Sequence, residues 1–182
     1  ASTAEPHAKG LVEMNAITWT HVGLDVHRDT IAVSVRRPGV AGPENWTVSA
    51  STESVRKLAR QLRKQVGEHG MVQACYEAGP TGYGVQRILE SEGVACDVVA
   101  PSLIPVRPGE RRATDRLDAD RLSEHLRNGS LTPVVVPTPR EEAAKTLTRL
   151  SQHARGDVRD MKRKVLSLLL MLGVERPEGL RP

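Results

Sequence analysis

Apolar and polar residues alternate through residues 30–36, Thr-Ile-Ala-Val-Ser-Val-Arg, which is the period-two pattern of a strand. Residues 21–27 before it are a short apolar run carrying one acid, Asp25, and Arg28-Asp29 makes a tight turn between the two. Residues 46–49 predict a third strand after a Pro/Gly loop, so the chain opens as a three-stranded meander. Ser51-Thr-Glu53 then opens a helix whose Val55, Leu58, Leu62 and Val66 recur at spacings of three and four, and the glycines at 67 and 70 end it. Residues 71–77 read as a buried strand ending in Glu77, followed by a tight loop over 78–84. A second helix runs through Val85, Ile88 and Leu89 to about Gly93, and residues 95–100 predict a fifth strand. A Pro/Gly/Arg loop spans 101–112. A third helix starts near Asp115 and ends at Asn128-Gly129, and residues 134–136 predict a further short strand between prolines. From Glu141 onward, Leu147, Leu150, Ala154, Val158, Met161, Val165, Leu168 and Leu172 mark one long amphipathic helix of near-heptad period, weakened locally by Gly156.

This order of elements predicts an α/β fold of the ribonuclease-H-like kind, a mixed sheet with flanking helices followed by a coiled-coil-like helix. The first strand is expected at the centre of the sheet, beside the fourth. The expected divisions are a flexible leader over 1–17, the sheet domain over 18–138, the long helix over 139–175 and a tail over 176–182. With 182 residues there is room for one such domain and an appendage. There is no Phe, and the aromatics are Trp19, Trp46, Tyr76 and Tyr83. The core is therefore aliphatic, and base stacking on an aromatic platform is disfavoured. The net charge of +4 is uneven. Residues 101–164 hold 14 Lys/Arg against 9 Asp/Glu, and residues 1–100 hold 10 against 11. A basic half facing a polyanion and a solvated Arg-rich helix face both fit that pattern. Cys75 and Cys96 lie in apolar runs, as free thiols in a reducing cytosol do. The longest apolar run, 165–174, is too short to span a bilayer, so no membrane partner is expected.

Candidate chemistry changes the picture at four acids. Asp115 and Asp118 sit three residues apart and share one face of a helical turn. Alone, the pair reads first as a helix cap, since helix starts favour Asp for capping and for the macrodipole. Asp25 and Glu77 lie in apolar strands, where an uncompensated carboxylate is costly. In the expected topology all four approach one sheet edge. A shared hard divalent cation, Mg²⁺ or Mn²⁺, would offset their repulsion. Phosphodiester chemistry by two such cations uses this kind of donor set. Asp25 would bridge the cations, Glu77, Asp115 and Asp118 would complete the shells, and Arg107, Arg111, Arg112 and Arg116 would meet phosphates.

Five strings then acquire a common meaning: Gly23-Leu-Asp-Val-His27, Tyr76-Glu-Ala-Gly-Pro-Thr-Gly-Tyr-Gly84, Val99-Ala-Pro-Ser-Leu-Ile-Pro105, Thr114-Asp-Arg-Leu-Asp-Ala119 and Arg127-Asn-Gly-Ser-Leu131. Together, from about His21 onward, they resemble the DEDD transposases of the insertion-sequence 110 family, which include the Piv-type DNA invertases. The resemblance implies a RuvC-like domain whose Asp-Glu-Asp-Asp quartet falls on Asp25, Glu77, Asp115 and Asp118. It implies a bacterial cytoplasmic recombinase, active at the nucleoid, that moves its own element. A structured bridge RNA would pair with donor and target DNA, and the protein would act as a dimer or tetramer. The long helix matches the family's coiled-coil connector.

Two departures stand out. Ala113 replaces the lysine usual before the third motif, and the chain stops at Pro182, before the family's C-terminal domain with its nucleophilic serine. The chain alone is therefore expected not to complete recombination. A Holliday-junction-resolvase-like nuclease shares the acidic order and needs no serine domain. An actin-like or sugar-kinase-like ATPase shares Gly23-Leu-Asp25 but gives the 115–118 pair no role.

Overall fold

Five strands, four α-helices and a 3-10 turn run through the residues described by the computed structural model, 18–67, 70–104 and 115–179, with Asp115 and Arg116 described in backbone only. The chain divides into two compact units, residues 1–135 and 136–182.

In the first unit, β1 (Thr18–Val26), β2 (Thr30–Arg36) and β3 (Glu44–Ser49) form the antiparallel meander. β4 (Gly70–Glu77) then pairs parallel with β1, and β5 (Ala95–Val99) pairs parallel with β4. The order across the sheet is β3-β2-β1-β4-β5, so β1 is central and lies beside β4. The parallel connections run through α1 (Thr52–Val66) and α2 (Gly84–Ser91). Ser51 caps α1, accepting from the Ser54 amide, and Val55, Leu58, Ala59 and Leu62 are the buried face. That stripe packs on β3, β4 and α2.

The opposite face of the sheet is covered by α3 (Asp115–Arg127), which packs across β1, β2 and β4. Side chains alternate along a strand, so Gly23 and Asp25 of β1, Ser34 and Arg36 of β2, and Cys75 and Glu77 of β4 share the α3 side. The aliphatic part of this layer is Cys75, Val99, Ile104, Leu122 and Leu126, with Leu131 packed against it. The Cys75 Sγ meets the Leu122 carbonyl at 3.6 Å, and burial pushes its thiol far up from its ordinary range. Both cysteines are free and buried.

Two expectations change. β1 and β3 begin earlier than the pattern predicts, at Thr18 and Glu44. Residues 30–36 form the expected strand, and Ile31 through Val35 are buried on both of its faces. The polar side is covered by α3, and Ser34 finds its partners there. Residues 134–136 form no strand. Pro133 makes a single bridge to Val99 and the Val134 amide donates to the Val98 carbonyl at 2.8 Å. Flanking prolines, which lack an amide donor, stop the ladder there. The leader, residues 1–17, and most of the Arg-rich loop lie outside the described residues.

The second unit is dominated by α4 (Pro139–Met171), one continuous helix through Gly156. Thr138 and Glu141 close a capping box at its start, and no residue of the helix is buried. No helix among the described residues is long and apolar enough to cross a membrane.

Candidate active site

Register brings the first two acids together. Leu24 of β1 is registered with Tyr76 of β4, so Asp25 and Glu77 come next on adjacent parallel strands. Such strands lie about 4.8 Å apart. Asp25 is the last residue but one of β1 and Glu77 ends β4, so both stand half-buried at the C-terminal edge of the sheet. A cleft of about 810 Å³ opens there, lined by both acids, by His27 and Thr52, and by apolar Val26, Val55, Pro80, Val85 and Ile88.

The loop after β4 is held by its own chemistry. The Ala78 amide donates to the Val99 carbonyl at 2.7 Å, and the Gly82 amide to the Gly79 carbonyl at 3.2 Å. Tyr76 is fully buried, and its hydroxyl donates to the Gly82 carbonyl at 2.9 Å. Pro80 suits the second position of this turn, and Gly82 takes a φ of 68°, which favours glycine. The Tyr-Glu-Ala-Gly-Pro-Thr-Gly string thus builds one wall of the cleft beside Glu77.

The remaining acids come from α3. Asp118 lies one turn before Leu122, whose carbonyl meets the Cys75 thiol of β4, so it stands on the flank of α3 that covers β4. Burial raises the Glu77 carboxyl above its ordinary range, Arg121 opposes this, and Asp118 and Asp25 add to the rise. Asp115 is the first residue of α3, with its side chain outside the described residues. So is the side chain of Arg116, while Arg107, Arg111, Arg112 and Ala113 lie wholly outside them.

Two groups that the sequence reading overlooked sit among the acids. The Arg121 guanidinium is 3.5 Å from Asp118, three residues back on α3. The His27 Nε2 is 3.0 Å from an Asp25 oxygen. Arg121 was legible as an i, i+3 pair, and His27 stood two residues beyond Asp25. Carboxylates are hard oxygen donors suited to Mg²⁺ or Mn²⁺, so the donor set fits such a cation in kind. Among the described residues, no three His, Cys, Asp or Glu side chains are already grouped to hold one.

Gly23, which a phosphate-loop reading would assign to a nucleotide, has another use. A Cβ there would lie 2.1 Å from the Ala119 carbonyl oxygen and 2.5 Å from the Ser123 amide nitrogen. The glycine lets α3 lie directly on β1.

Comparison with known proteins agrees with the sequence strings. The family model for transposases of the insertion-sequence 110 DEDD type matches residues 22–173. A putative transposase, y4qE, of Sinorhizobium fredii (strain NBRC 101917 / NGR234) is 41% identical over 154 residues, covering 84% of this chain and 39% of the relative. The transposase for insertion sequence element IS1533 of Leptospira borgpetersenii is 28% identical over 152 residues, covering 82% of this chain and 43% of the relative. The chain thus spans less than half the length of these relatives. Among solved structures, the ethanolamine utilization protein EutJ from Carboxydothermus hydrogenoformans aligns with a TM-score of 0.34 and 16% identity, over 47% of this chain and 38% of that one. On its sequence, this chain belongs to the insertion-sequence 110 family of DEDD transposases.

Proposed function

We propose that this chain is the acidic catalytic domain of a DNA transposase, RuvC-like within the ribonuclease-H-like fold, in which Asp25, Glu77, Asp115 and Asp118 hold Mg²⁺ or Mn²⁺ for phosphodiester chemistry. The observation that carries the reading is the register of β1 with β4, which sets Asp25 and Glu77 side by side at one sheet edge. The effect of Asp118 on Glu77 supports a contribution from α3. Bound by these acids, divalent cations would activate the attacking oxygen and stabilise the leaving oxygen of a phosphodiester.

The chain's own groups prepare that site. Asp25 and Glu77 present oxygen donors at the mouth of the cleft. Arg121 offsets part of the acids' mutual repulsion. Val85, Ile88 and Pro80 give the cleft an apolar wall. Arg107, Arg111, Arg112 and Arg116, in the basic stretch before and within α3, are assigned to DNA phosphates.

The proposed partners are donor and target DNA, a structured bridge RNA, and further copies of the chain joined through α4; the family resemblance supports them. Exposed Leu147, Leu150, Val158, Met161 and Leu168 on that helix support a coiled-coil role. Strand transfer by the whole protein would also need a serine domain of the kind the family carries. The test is an element-excision assay with the full-length transposase. Asp25→Ala, Glu77→Ala, Asp115→Ala and Asp118→Ala should each abolish excision while RNA binding persists. Normal excision by any of these variants contradicts the assigned role of that acid.

A further inference from the structure

α3 is seated on the sheet by a polar cluster away from the acids. Gly23 and Ser34 are partners across the β1–β2 pair, and both lie under α3. Ser34 and Ser123 are fully buried, with their hydroxyl oxygens 3.1 Å apart. Arg36, its side chain only 12% exposed, donates from Nε to the Ser123 hydroxyl at 3.0 Å and from Nη2 to an Asp120 oxygen at 2.5 Å. Glu124, one turn further along α3, has an oxygen 3.8 Å from the same Nη2. This places two to three groups of α3 on one nearly buried guanidinium of β2.

The helix straddles β1. Asp120, Ser123 and Glu124 form the flank over β2. Leu122, one turn from Asp118 on the same side of the helix, meets the Cys75 thiol of β4 with its carbonyl at 3.6 Å, so Asp118 belongs to the flank over β4. Asp118 and Asp120 are two residues apart, hence about 200° apart around the helix axis. Beneath them Gly23 offers a surface with no side chain, against which a helix packs closely but which by itself fixes neither rotation nor axial position. An apolar contact of this kind is non-directional, whereas a satisfied buried polar cluster selects one register. Turning α3 so as to break the Asp120 pair would carry Asp118 away from Glu77.

We propose that Arg36, with Asp120, Ser123 and Ser34, positions the helix, fixing α3 over Gly23 so that Asp118 faces Asp25 and Glu77. Arg36 and Asp120 are positioning residues and touch no reacting atom. This inference rests on the metal-binding reading of the acids.

The test is Mn²⁺ titration of the 182-residue chain, well below its melting temperature, with the melting temperature recorded for each variant. Arg36→Met combined with Asp120→Leu replaces the ion pair by apolar side chains, an exchange that is often neutral for stability. It should melt close to wild type yet bind Mn²⁺ about ten-fold or more weakly, the loss usual when groups supporting metal ligands are removed. Arg36→Lys, which can still pair with Asp120, should recover most of that affinity. Gly23→Ala is a second arm that displaces α3 without altering a charge, and it should weaken Mn²⁺ binding similarly. Wild-type affinity in either folded variant overturns the inference. Asp25→Asn and Glu77→Gln separate it from the reading beneath. If these also bind Mn²⁺ as wild type does, or if the wild-type chain binds none, the metal reading itself fails. If they lose binding while the Arg36/Asp120 variant keeps it, only the positioning role fails.

Discussion

At the scale of single residues, the site depends on groups with no chemistry of their own. Gly23 meets backbone atoms of α3, which cannot move aside as a flexible side chain can. Gly23→Ala should therefore cost about 1–3 kcal/mol of stability, the range for overpacking a close contact, measured by urea denaturation. Gly156 of α4 is the contrast, with open space around it in a helix interior. Gly156→Ala should raise the thermal stability of the helix, by up to about 1 kcal/mol, as followed by circular dichroism. His21, in β1 on the α3 side, is held below its ordinary value by burial and then by Arg127. Its folded-state value lies below the unfolded 6.5, so its contribution to stability is complete above that pH. It is lost as pH falls through 6.5 toward the lower folded value. Denaturation at pH 7.5 and 5.5 should show the wild type losing more stability on acidification than His21→Gln; an equal loss would contradict this assignment.

Elements were legible where one period dominated. The stripe of Val55, Leu58 and Leu62 located α1, and the Thr138–Glu141 capping box sits where the long helix was expected to begin. The central place of β1 followed from the order of elements, because two parallel crossovers after a meander put β4 against β1. What the pattern could not reveal was long-range cover. Ser34 is a polar residue among apolar ones whose partner, Ser123 of α3, is 89 residues along the chain. The prolines around residues 134–136 outweighed their β-branched composition, since a three-residue segment bounded by residues without amide donors gains only a single bridge. Of the proposed site, the placing of Asp25 and Glu77 on neighbouring strands was legible, but Arg121, His27 and the Arg36 cluster were not, because each meets its partner only in space. The loop after β4 gives a test at this scale. Tyr76→Phe removes the hydrogen bond to Gly82 and should cost about 0.5–1.5 kcal/mol, with faster hydrogen exchange confined to the loop and the start of α2.

At the scale of the whole molecule, one unit places Asp25 and Glu77 at a sheet edge crossed by α3, and the second unit is a long helix with an exposed apolar stripe. Charge is divided in the same way, with the excess of Lys and Arg confined to the half that includes the third and fourth acids. The central claim is that Asp25, Glu77, Asp115 and Asp118 form one divalent-cation site. Paramagnetic Mn²⁺ tests it most directly, because it broadens the NMR signals of nearby amides and leaves distant ones sharp. Titrated into the isotopically labelled chain, Mn²⁺ should first erase the amide signals of Val26, Ala78 and Ala119, next to Asp25, Glu77 and Asp118, and excess Mg²⁺ should restore them. Broadening that spares these three, or falls first on acids elsewhere in the chain, would contradict the claim.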